Sequence, residues 1–394
     1  MAEDAVGGGR RTGSMWQDQR FRGLIYQALT IGLVGTFFAF IVYNTTVNLE
    51  RLGVASGFDF LDLPAGYDVS SSLITFTSSN THGRVFFVGL LNTLLVSGLG
   101  VVLATLIGFT VGVLRLSHNW LVSRVAYVYV ETLRNIPLLL QILFWWAIFL
   151  ALPKAKQALD MGSGFFLNNR GLQFPKPIYE DGFALTPIAL LVGVVLAWLV
   201  GRWAKKRQID TGQHFPSFLV GTGLVLGLPI LTLLLTGIPL SWELPVLKGF
   251  NFKGGLVIKP EFMALLTALS LYTGAFIAEN VRSGIQAVSH GQTEAAYALG
   301  IKPNWTMRLI VIPQALRVVV PPLTSQYLNL TKNSSLAVAI GYPDLVATFG
   351  GTTLNQTGQA VETILITMLV YLTISLTISM FMNWYNRRIS LVER

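Results

Sequence analysis

Apolar runs of about 20 residues alternate with polar stretches along the chain, and a helix needs roughly that many to cross a bilayer core. Windows near 24–44, 86–114, 121–152, 185–203, 217–237, 262–282, 318–341 and 360–384 meet the requirement. The third contains Arg134 and Pro137, so it reads as a short interfacial helix over 121–134 followed by the true span. Long polar stretches fill 45–85 and 153–184. One segment, GQTEAAYALGIKPNWTMRLIVIPQALR (291–317), is too polar to cross and too regular for a slack linker. Ser289 and Gln292 fit a capping box, which starts a helix near His290. Ala295, Ala296, Ala298 and Leu299 are strong helix formers. Gly300 suits the left-handed residue that ends a helix, and Pro303 the first turn of the next. Trp305, Leu309 and Ile312 fall on one apolar face, and Pro313 should stop or kink that helix. The expectation is helix, turn, helix, lying under a bundle. Its small-residue face lets another backbone approach, although a well-capped connecting loop would carry the same caps and alanines.

Composition sharpens this picture. Of 394 residues 52% are apolar and only 12% charged, about half the charged share of soluble domains. An all-α polytopic membrane protein of about eight transmembrane helices follows. The net charge of +9 then belongs in inside loops and does not point to nucleic acid. Eight spans put both termini on one side. The Lys/Arg bias, with RWAKKR (202–207) as its clearest anchor, makes that side cytoplasmic and puts the 291–317 loop there too. The first apolar run ends in Tyr43-Asn44-Thr45-Thr46 and reads as an uncleaved span rather than a signal peptide. There is no cysteine, and His82, His118, His214 and His290 are scattered, so no metal site is expected.

Polar residues inside spans are costly and often functional. Lys332 lies among Asn329, Asn333, Ser334 and Ser335. This is either a substrate pathway facing a carboxylate, or a helix–helix hydrogen-bond cluster with a snorkelling lysine. Glu131 and Arg134, like Glu279 and Arg282, are spaced i, i+3 and read as intrahelical ion pairs or as gating contacts between helices. Gln141, Tyr272 and Thr273 are further pathway candidates. Gly98, Gly100, Gly108 and Gly112 suggest close helix packing. A transporter driven by an ion gradient would use an intramembrane carboxylate, and no Asp or Glu sits deep in a predicted span. A membrane enzyme would need a metal cluster, nucleophile elbow or paired carboxylates, and none is evident. A phosphate-binding loop needs GxxxxGK[ST], yet no Gly-Lys dipeptide occurs anywhere. Any ATP hydrolysis must come from another chain.

The spacing Glu294-Ala295-Ala296, Gly300, Ile310, Ile312-Pro313 resembles the cytoplasmic loop of bacterial ABC importer permeases, with Ile312 where leucine is usual. LLNTLLVSGLGVVLATLIGFTVGVLRLS (90–117), YVETLRNIPLLLQ (129–141), AFIAENVRSGI (275–285) and LNLTKNSSLAVAIGYPDL (328–345) resemble the polar amino-acid subfamily. The likeness covers a five-helix type I core at 86–153 and 262–394, with the loop at about 285–317. The tail, extra first span and outer segment (1–85) and the two-span insertion (153–261) resemble the longer Q-type subunits of proteobacterial general L-amino-acid transporters. The resemblance implies a non-catalytic amino-acid permease of the bacterial inner membrane, with both termini cytoplasmic. It implies a second permease subunit of the same family, a cytoplasmic ATPase dimer that binds ATP and Mg, and a periplasmic amino-acid-binding protein. ATPase coupling would then fall to Glu294, Ala295, Ala296, Tyr297, Gly300, Ile301, Ile310 and Pro313.

Overall fold

A computed structural model describes residues 19–51 and 57–389. Among the described residues seven helices are long and apolar enough to span a membrane, or eight if one bent pair counts as a single span. α1 (Gln19–Arg51) is followed by a polar strap, residues 57–81, and then α2 (His82–Leu114). The strap runs back along α2: Arg84 Nε donates to Thr75 O at 2.8 Å and Asn92 Nδ2 to Ser71 O at 2.9 Å.

α3 (Trp120–Asn135) and α4 (Leu138–Leu150) meet at 108°. Pro137 forces Ile136 into the extended region, which ends α3. Gln141 Nε2 donates to Leu133 O and Ile136 O, both at 2.9 Å, and so satisfies carbonyls at the end of α3. With 13 residues, α4 is about 20 Å long and cannot by itself cross a core of about 30 Å. The interfacial helix expected over 121–134 forms as α3, but the span expected after it is not completed by α4 alone.

The polar stretch after α4 holds β1 (Leu159–Asp160), β2 (Phe166–Asn168), β3 (Gly171–Phe174) and β4 (Lys176–Tyr179). The hairpin of α5 (Leu185–Thr211) and α6 (Ser217–Leu235) follows, then β5 (Leu240–Glu243), β6 (Val246–Lys248), β7 (Asn251–Lys253) and β8 (Leu256–Ile258). Strands before and after the hairpin pair with each other, β3 with β8 and β4 with β5, so two of the three small sheets join the two stretches. Gly171 (φ +117°) makes this possible: a methyl group there would lie 2.0 Å from Ile258 O. α5 and α6 pack chiefly on each other, with Gly193 against the Leu224 carbonyl.

α7 (Pro260–Gln286) is the central helix and packs against α2, α3 and α4. At its crossing with α2, a methyl group on Gly108 would lie 2.5 Å from Ile277 Cβ, and one on Gly112 2.7 Å from Ala278 O. Only glycine permits this approach. Gly98 differs from the expectation, having nothing within 4 Å of such a methyl, and Gly100 meets only the Leu330 side chain, at 3.2 Å. The core is built from Val96, Ile142, Leu265, Leu269, Ile277 and Leu330.

The chain continues through α8 (His290–Ala298), α9 (Pro303–Thr306), a π-helical stretch (Met307–Val311) and α10 (Ile312–Asn333), which also packs on α7. A 3₁₀ stretch (Ser334–Ile340), a second π-helical stretch (Val346–Thr353), α11 (Leu354–Thr357) and α12 (Ala360–Ile389) complete it. Of the two outcomes expected of Pro313, a stop or a kink, the stop does not occur. The wider π turn lies just ahead of it, and helical geometry runs on from Pro303 to Ile340. A proline N1–N2 position also needs no amide donor.

Candidate coupling loop, ion cluster and polar face

α8 begins at His290, but the Ser289 side chain makes no cap bond, so the expected capping box does not form. Gln292 is engaged elsewhere: its Oε1 accepts from Gln314 Nε2 at 3.3 Å, which ties α8 to α10. The C-terminus closes as a Schellman motif. Ile301 N donates to Ala296 O at 3.0 Å and Gly300 N to Tyr297 O at 2.9 Å, around Gly300 at φ +73°. Ala296 is buried, with α8 packed on α9 and the 307–311 turn, whereas Glu294, Ala295, Tyr297 and Leu299 are exposed. Leu299, at 79% exposure, is a large apolar side chain with no cover among the described residues. Ile301 and Ile310 are half-buried, and Pro313 is exposed. Trp305, Leu309 and Ile312 form an exposed apolar face.

At the same end of the bundle three helices meet through charge. Glu279 on α7 accepts from Arg282 (Nη2–Oε1 2.5 Å, Nε–Oε2 3.2 Å) and from Arg115 at the end of α2. Arg115 also lies 3.9 Å from Glu131 of α3. The Glu279–Arg282 pair thus forms as its spacing predicts, but the Glu131–Arg134 pair does not. The Arg134 guanidinium sits 5.2 Å from the Phe276 ring centre instead, and its buried Nε has no hydrogen-bond partner.

The pathway candidates separate into two groups. Gln141 and Thr273 are buried, and Tyr272 is half-buried, 5.0 Å from the Phe276 ring. Ser334 is buried and donates to Thr331 O at 2.7 Å. Asn329 and Lys332 are exposed, in line with Ser325 on one face of α10, and Asn333 is half-buried beside them. Ser335, which donates to Lys332 O, joins Lys332 in lining a pocket of about 460 Å³ with Thr367 and Tyr371 of α12.

The binding-protein-dependent transport system inner membrane component family matches residues 185–391. The chain belongs to that family. This permease is 50% identical to the general L-amino acid transport system permease protein AapQ of Rhizobium johnstonii, over 97% of the chain and 95% of the relative. It is 52% identical to the putative amino-acid ABC transporter permease protein YhdX of Escherichia coli, over 95% of each. It is 45% identical to the glutamate/glutamine/aspartate/asparagine transport system permease protein BztB of Rhodobacter capsulatus, over the full length of both. The permease is a multi-pass membrane protein, the transmembrane subunit of an ATP-driven importer.

Two residues of the permease site escape sequence reasoning. Arg115 reads only as one more inside cation, and its partner Glu279 lies 164 positions away. Asp344 lies between spans and so drops out of a search for intramembrane carboxylates. It is fully buried, accepts from Ala347 N at 2.8 Å and from the Tyr371 hydroxyl at 3.3 Å, and sits beside Pro343, whose carbonyl accepts from Asn92 at 2.8 Å. Burial pushes its carboxyl up to about 7, against weaker lowering by the backbone amides. The signal was present in IGYPDL, a carboxylate in an otherwise apolar and small-residue run.

Proposed function

We propose that this permease passes amino acids across the bacterial inner membrane, with its termini and the 291–317 loop cytoplasmic, and that it hydrolyses no ATP itself. The amino-acid class rests on its relatives. The observation that carries the reading of a pathway in this chain is the exposed polar face of α10. A lysine at the centre of a lipid-facing helix costs about 2.5–3.5 kcal/mol. Ser325, Asn329 and Lys332 are therefore best satisfied by a water-filled path shared with a second permease subunit, where Lys332 and the Ser335 hydroxyl would attract a substrate carboxylate. Glu294, Ala295, Tyr297 and Leu299 would enter a groove of a cytoplasmic ATPase dimer, which binds ATP and Mg. A periplasmic amino-acid-binding protein would deliver the substrate at the opposite side. The five-helix core would comprise 86–153 and 262–394, with 1–85 and 153–261 as additions.

The test is ATP-dependent uptake of a labelled amino acid in liposomes holding the whole importer. Lys332→Gln should lower uptake while the complex stays assembled. Glu294→Ala should lower both uptake and ATPase association. Uptake that continues without the ATPase, or follows a proton or sodium gradient, would overturn the reading.

A further inference from the structure

We propose that the turn end of the α5–α6 hairpin, centred on Arg202–Arg207, is a binding site for the phosphate headgroup of an anionic phospholipid. The hairpin stands beside the bundle. Its apolar windows are only 6% buried, and the small residues Ala189, Gly193 and Ala204 take up the face turned to α6. Arg202, Lys205 and Lys206 are exposed, away from that contact. They lie where an apolar span ends, which is headgroup level.

The cluster is organised in advance. Arg202 stacks over Trp198 at 4.4 Å and Arg207 over Trp203 at 5.3 Å. The turn after α5, opened by Gly212 at φ +69°, folds back so that Phe215 meets Trp203 edge-on at 5.1 Å. It also brings Gln213 Oε1 to accept from Arg207 Nη2 at 2.7 Å. Among the described residues no carboxylate lies within 4.0 Å of any of the four cations, although Asp210 is one turn away. Four cations unneutralised by protein, two of them fixed on interfacial tryptophans, call for an anion. An anionic lipid fits, because its tails cover the bare apolar faces of the same hairpin while its phosphate meets the guanidinium groups. The inference does not depend on the substrate or on which leaflet this end occupies.

The test uses the whole importer, purified in detergent and exposed to mixed micelles of phosphatidylglycerol and phosphatidylcholine, with retained lipid counted by native mass spectrometry. Each cation near an anionic surface contributes about fivefold, so the wild type should retain phosphatidylglycerol at least about tenfold over phosphatidylcholine. Replacing Arg202, Lys205, Lys206 and Arg207 together by Gln should abolish that preference. Equal retention of the two lipids by the wild type, or an unchanged preference in the Gln variant, overturns the proposal. Displacement by millimolar inorganic phosphate overturns the lipid assignment, since a free anion would then suffice. Neutralising the four cations also risks inverting the hairpin. Trp198→Leu with Trp203→Leu keeps every charge and should weaken retention severalfold, and no change in that variant counts against the site.

Discussion

Replacing Glu279 by Gln should loosen the end of the bundle where α2, α3 and α7 meet. Glu279 is shared by Arg115, whose side chain is 9% exposed, and Arg282, which is 28% exposed. The substitution keeps shape but leaves two guanidinium groups facing an amide. Removing one partner of a fully buried pair costs about 3–5 kcal/mol, and the 21% exposure of Glu279 puts this case nearer about 2–3 kcal/mol. Arg282 can turn toward water, so most of the cost should reside with Arg115. A double-mutant cycle isolates that share: thermal or denaturant unfolding of the purified importer carrying Glu279→Gln, Arg115→Gln, and both. The double variant should be more stable than the sum of the singles predicts, by about 1–2 kcal/mol. Uptake should fall in each single variant, because α2, α3 and α7 lose their common tie. Strict additivity, or a Glu279→Gln protein as stable as the wild type, would refute the claim that this cluster fastens the three helices.

Gly112→Ala places a methyl 2.7 Å from a backbone carbonyl and should cost about 1–3 kcal/mol, while Gly98→Ala, with open space around it, should be neutral or slightly stabilising; unfolding of the two variants side by side decides this. Gly300→Val should weaken ATPase co-purification by straining the left-handed cap by about 1–2 kcal/mol, and Gly300→Asn should be milder; equal binding by both would remove the cap from the coupling argument. Asp344 gives a pH dependence with a definite sign. Its carboxyl holds a proton in the folded protein up to about 7 but releases it near 3.8 when exposed. The folded state therefore binds more protons between those values, and stability should fall as pH rises from about 4 to 7 and then level off. Asp344→Asn should flatten that slope, and parallel slopes would rule out Asp344 as its source.

The spans were legible because twenty apolar residues leave few alternatives, and the bend at Pro137 was legible because a proline follows Arg134 in an otherwise greasy run. The length of α4 was not, since nothing in LLLQILFWWAIFL says how deep it starts. The left-handed Gly300 could be read from its place after a helical pattern. The capping box could not, because Gln292 had a competing partner in Gln314, 22 residues on. Strands of two to four residues are too short to print an alternating pattern, so the small sheets were invisible, and their pairing across the α5–α6 hairpin has no local signature. The failed Glu131–Arg134 pair makes the same point: a spacing permits a contact, and a better-placed aromatic ring across the interface can take the cation instead.

The π turn at 307–311 has a mechanical consequence. Because it widens the helix just ahead of Pro313, the segment from Pro303 to Ile340 is one connected helical rod of 38 residues, about 55 Å along its axis. Its first turns carry Trp305 and Leu309, and its later turns carry Asn329 and Lys332. Pro321 and Pro322 within it and the 3₁₀ turns at its end are the places where it can bend. Moved as a rigid body, it would carry its far end about 5 Å for a tilt of about 5°, roughly the size of an amino-acid side chain. The polar face of α10 and the loop that precedes it are thus joined by continuous helix.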